Sequence, residues 1–69
     1  MSAKEMFEKI GYTECIINSS LIEYTNFRET KKVVFYKNIK QVLHYEEVLT
    51  MPLLKAINQQ CKELGWLDE

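Results

Sequence analysis

Both glycines of the chain sit in near-copies of one phrase, Lys9-Ile10-Gly11-Tyr12 and Glu63-Leu64-Gly65-Trp66, and each phrase closes a stretch with helical apolar spacing. A helix commonly ends on a residue in left-handed geometry, which glycine adopts without a Cβ penalty, while the next apolar side chain folds back onto the last turn. Tyr12 and Trp66 stand where those side chains belong. The phrases therefore set one helix end near each terminus and leave the middle to other structure. A chain of 69 residues buries only about 60 % of its unfolded surface, so residues 1–69 read as a single domain around one thin core. A second subunit would relieve that shortage, which makes self-association an expectation from size alone.

The first helix has a start signal as well as a stop. Ser2 followed by Glu5 is the capping-box spacing, in which each side chain satisfies the other residue's free amide, so the first helix is expected over residues 3–10 with Ala3, Phe7 and Ile10 as its apolar stripe. Pro52 suits the first turn of a second helix, where its missing N–H has no partner to lose. That helix is expected over residues 52–64. Its apolar stripe is Leu53, Leu54, Ala56, Ile57, Cys61 and Leu64 at 100° per residue, and Gln60 falls within it. A buried amide there needs a hydrogen-bond partner.

Between Tyr12 and Thr50 the apolar period changes to two and β-branched and aromatic residues dominate, the pattern of strands. Residues 13–17 read as a short strand or an extended connector, ended by a turn at Asn18-Ser19-Ser20. Clearer strands are expected over 21–27, 32–36 and 40–46, with a polar tip at 28–31 and a turn around Lys37-Asn38. Short polar connections favour antiparallel hairpins. The expected fold is thus α+β in the order α-β-β-β-α, an antiparallel three-stranded sheet with both helices packed on one face. The other face is then open to water or to a partner. With Ile22, Tyr24, Val33, Phe35, Leu43 and Tyr45 toward the helices, the open face carries Leu21, Phe27, Val34, Tyr36, Val42 and His44. Phe27, Val34, Tyr36, Val42 and His44 are accordingly the candidate partner-binding residues. A one-residue slip would exchange the two sets.

Catalytic readings find little to build on. His44 is the only histidine, no Ser or Cys stands in a nucleophile motif, and both glycines are committed to helix ends rather than to a phosphate-cradling loop. Cys15, His44 and Cys61 lack the paired short spacings of a metal site, and Glu46-Glu47, as neighbours in a strand, would point to opposite faces. The expectation is a non-enzyme with no metal and no cofactor. Cys15 and Cys61 read as reduced, buried thiols of a cytoplasmic protein, and no apolar run approaches the ~20 residues of a membrane span. A formal net charge of −1 argues against a chain whose whole surface grips nucleic acid or anionic lipid.

Locally the balance differs. Arg28, Lys31, Lys32, Lys37 and Lys40 hold five of the nine basic residues against one acid, Glu29, and Phe27, Phe35, Tyr36 and Tyr45 interleave with them. Aromatic faces in a basic groove suit single-stranded nucleic acid. Lysines at hairpin tips also block edge-to-edge pairing of strands. Two classes of function thus stay open: an interaction module that binds itself or an unidentified protein through the open face, and a nucleic-acid-binding module using the basic hairpin around residues 28–40.

The element order resembles the topology of the double-stranded-RNA-binding domain. That family carries a basic cluster at the start of its last helix, where Met51-Pro52-Leu53-Leu54-Lys55 has a single lysine, so the resemblance implies the fold and not RNA binding. In wording, Phe7-Glu8-Lys9-Ile10-Gly11-Tyr12 and Ala56-Ile57-Asn58-Gln59-Gln60-Cys61-Lys62-Glu63-Leu64-Gly65-Trp66 resemble the ends of short phage and prophage reading frames of Gram-positive bacteria. That group implies no activity.

Overall fold

The computed structural model describes residues 1–45 and 48–67. Its order is α1 (Ala3–Lys9), β1 (Thr13–Ile17), β2 (Leu21–Asn26), β3 (Lys31–Tyr36), β4 (Gln41–His44) and α2 (Met51–Glu63). The α+β class stands, but the antiparallel sheet has four strands in the order β1-β2-β3-β4, not three. The additional strand is the 13–17 stretch. Its side chains are mostly exposed, so no apolar alternation announces it, and its place comes from backbone pairing with β2 through Thr13↔Thr25 and Ile17↔Ile22. A bulge between Glu14 and Ile16 breaks that ladder. The α-β-β-β-β-α order also departs from the RNA-binding-domain topology by one strand.

Both helix ends follow the glycine phrases. Gly11 and Gly65 have φ of +94° and +78°, the amides of Tyr12 and Trp66 reach back to the carbonyls of Phe7 and Cys61 at 2.9 Å, and those of Gly11 and Gly65 reach Glu8 and Lys62. That pair of bonds is the Schellman motif, which satisfies two of the last turn's free carbonyls. At the start of α1 the Ser2–Glu5 capping box is complete. Helix α2 begins one residue earlier than Pro52, with Thr50 as its cap.

The core draws Phe7 from α1, Leu53, Ala56 and Cys61 from α2, and Ile22, Tyr24, Val33 and Phe35 from β2 and β3. Phe7 is its centre, stacked on Tyr24 at 3.9 Å and edge-on to Tyr12 and Phe35. Trp66 closes over Phe35 from the α2 end. The two helices are also tied directly: a Glu63 carboxylate oxygen accepts from the Ala3 amide at 2.7 Å and from Gln59 Nε2 at 3.0 Å.

Two hairpins of the same kind join β2 to β3 and β3 to β4. Asn26 pairs with Lys31 and Tyr36 with Gln41, so each leaves a four-residue loop. The fourth loop residue is left-handed in both, Thr30 at φ 58° and Lys40 at φ 52°. Neither is glycine, and a β-branched threonine is especially unfavourable there. The buried Asn26 steadies the first loop by accepting the Glu29 amide on Oδ1.

Candidate functional site

Register decides what each side of the sheet presents. Strands β2 and β3 follow the expected phase, with Ile22 opposite Phe35 and Tyr24 opposite Val33 on the helix side. Strand β4 is out by one: Val42 faces Phe35 and His44 faces Val33, so both lie on the helix side, and Val42 packs against the core. They are therefore removed from the open face, where Leu43 and Tyr45 take their place. The cause is the loop, which takes four residues, 37–40, where a strand from residue 40 leaves three, so that β4 begins at Gln41 and the one-residue slip exchanges its faces. His44 Nδ1 is buried and finds no hydrogen-bond partner among the described residues.

The open side consists of three cross-strand rows. In the middle row Ile16, Glu23, Val34 and Leu43 cross all four strands. Leu21, Tyr36 and Gln41 flank it on one side, Thr25 and Lys32 on the other, and the Tyr45 amide reaches the Lys32 carbonyl at 3.2 Å beyond β4. Accessible apolar area comes from Ile16 at 41 %, Leu43 at 39 % and Tyr45 at 58 %. Val34, a candidate contact residue, is only 4 % exposed although it points away from the helices, because Glu23 and Leu43 flank it on either side. Tyr36 is half-buried.

Glu23 and Lys32 lie 3.8 Å apart, and Thr25 Oγ1 donates to the same Glu23 oxygen at 3.2 Å. The charges in the middle of this face thus answer each other. The glutamate pair at 46 and 47 lies outside the described residues.

The five basic residues fall into two groups. Arg28, Lys31 and Lys32 are at the β2–β3 end and Lys37 and Lys40 at the β3–β4 end, about 17 Å away along β3. Lys31 pairs with Glu29 at 3.1 Å, and Lys37 Nζ donates to the Asn18 carbonyl at 2.7 Å, tying the second loop to the β1–β2 turn. That turn is closed by Asn18 Oδ1, which accepts the amides of Ser20 and Leu21.

Phe27 is 73 % exposed, the most exposed aromatic of the chain, and stands as a wall between two hollows. One, of about 230 Å³, is lined by Thr25, Thr30, Lys31, Lys32 and Tyr45. The other, of about 520 Å³, lies against the end of α1 and is lined by Lys9, Ile10, Gly11, Thr13, Asn26, Arg28 and Glu29.

The remaining buried polar groups serve the core. Tyr24 donates its hydroxyl to Gln60 Oε1 at 2.6 Å, which gives the amide in the α2 stripe its partner. Burial, reinforced by Glu14 and Glu63, raises the Tyr24 hydroxyl above its ordinary pKa, and burial also raises the Cys61 thiol. Cys15, expected to be buried, is exposed beside the β1 bulge. Among the described residues no three of His, Cys, Asp and Glu gather as a metal site, and no helix is long and apolar enough to cross a membrane. No family model, curated protein or solved structure matches the chain.

Proposed function

We propose that the protein is a small non-catalytic interaction module that associates with a second copy of itself through the open side of the sheet. The observation supporting this reading is the middle row, where Ile16 and Leu43 offer apolar area and the one charge, Glu23, is answered by Lys32 from the adjoining row. Burying an unpaired charge is costly, and burying one that already has a counter-charge, as Glu23 has in Lys32 at 3.8 Å, costs less. A face with one acid beside one base is also complementary to its own image about a two-fold axis, the commonest symmetry of soluble oligomers. Size does not force the association: the folded chain exposes 4727 Å², close to the roughly 4,500 Å² of a compact chain of this mass. The driving force is the apolar row itself.

Sedimentation velocity from about 10 µM to about 1 mM tests it. The expected result is a concentration-dependent rise in mass that Leu43→Glu abolishes, with Tyr36→Glu acting in the same direction. A chain that stays monomeric at the highest concentration overturns the proposal. The nucleic-acid alternative has less support, since Arg28, Lys31 and Lys32 occupy the opposite end of the sheet from Lys37 and Lys40 and form no common groove. A phage or prophage origin is supported by the helix-end phrases alone.

A further inference from the structure

We propose that the hollow at the end of α1 binds a nucleotide, with Phe27 stacking on the base and Lys9 and Arg28 holding the phosphate. Its volume of about 520 Å³ falls within the range of ligand pockets, about 300–1,000 Å³, whereas the neighbouring hollow is smaller than that range. Three chemically distinct walls converge on it. Phe27 presents an open aromatic face at the first position of the β2–β3 loop, and a flat heteroaromatic ring is the partner that recovers most from such a surface. Lys9 and Arg28 supply cationic donors, and neither forms an ion pair with a described residue. The lining acid, Glu29, is turned to Lys31 at 3.1 Å, which leaves the two cations available to an anion.

The floor is polar. At Gly11, φ +94° and the lack of a side chain let the α1 end approach the Asn26 amide, where an added Cβ would stand 3.1 Å from Nδ2. Thr13 adds a hydroxyl at the start of β1. A ring, a polar linker and an anion in sequence match this order of surfaces. The same chemistry comes from a free nucleotide or from one residue of a single strand. This inference does not rest on self-association, because the hollow is built on the C-terminal turn of α1 and not on the Ile16–Leu43 row.

Backbone amide chemical shifts of the full chain at low salt would test it, with adenosine monophosphate, inorganic phosphate, a short oligothymidylate and an aspartate-rich peptide as separate probes. Adenosine monophosphate should move the Gly11, Thr13 and Arg28 signals saturably. Arg28→Gln should weaken binding about tenfold, as loss of one charged hydrogen bond, and Phe27→Ala by at least about fivefold. Lys37→Gln, at the other end of the sheet, should change nothing. Binding by the oligonucleotide with the same residue dependence also supports the site and assigns it to a strand. Phosphate matching the nucleotide in affinity, response to the acidic peptide alone, or no localised shift each overturns it. Phe27 and Arg28 are exposed, and circular dichroism checks that both variants stay folded.

Discussion

The two sides of the sheet bury neighbouring residues of one strand to nearly the same degree by different means. Phe35 is covered by a second layer, with Phe7, Tyr24 and Trp66 around it. Val34, the preceding residue, lies on the other side between its cross-strand neighbours Glu23 and Leu43. The first kind of burial is a commitment of the whole fold, because removing a ring leaves a cavity that two helices and a sheet would have to close. The second is local and adjustable, since long side chains at a surface can shift. Low accessibility therefore does not by itself separate core from interface.

The strongest contrast comes from truncating each side. Phe7→Ala should cost about 3–5 kcal/mol, the range for a fully buried aromatic ring, against less than about 1 kcal/mol for Leu43→Ala, whose side chain is partly wet in the monomer. Urea unfolding at low protein concentration measures both, and equal losses would break the distinction between the sides.

An intermediate effect sharpens it for polar groups. Tyr24→Phe should cost about 1–3 kcal/mol, because Gln60 Oε1 is left buried without its donor, whereas Gln60→Leu added to Tyr24→Phe should recover most of that loss. On the open side, Lys32→Ala should cost no more than about 1 kcal/mol, since its pairing with Glu23 is partly solvated. Denaturant midpoints of the wild type, Tyr24→Phe, Gln60→Leu and the double variant give the cycle, and a double variant worse than Tyr24→Phe alone would reject the pairing. The smallest effect concerns the loop that joins the strands of both sides. Thr30→Gly relieves a left-handed β-branched residue and should stabilise the chain by about 0.5–1 kcal/mol after glycine's own entropy cost. A lowered thermal midpoint would show that Thr30 supplies something beyond its backbone.

What the sequence discloses follows the same division. Helix ends are written in single residues, Gly11, Gly65, Ser2 and Glu5, and read correctly because each motif is local. The phase of β2 and β3 is legible because Ile22, Tyr24, Val33 and Phe35 alternate without ambiguity. In β4, Val42 and Leu43 are adjacent and both apolar, so the pattern fits either phase and the turn must decide. That turn is closed by Lys40 in left-handed geometry, with no glycine to mark the place. Residues 13–17 read as either a strand or a connector because β1 buries little and is held by backbone pairing with β2. Gln60 declares itself as a polar residue in an apolar stripe, but its partner, Tyr24, is 36 positions away, and nothing local names it. The hollow at Phe27 is likewise assembled from α1, β1 and the β2–β3 loop, elements whose proximity no motif records.

The carboxylate of Glu63 on the amide of Ala3 spans sixty positions of chain. Synthesis makes α1 before α2, so α1 waits for this acceptor until α2 has emerged. A large apolar residue set in place of Ser2 directly ahead of Ala3 would remove the Ser2–Glu5 capping box and crowd the clasp between α1 and α2 at once.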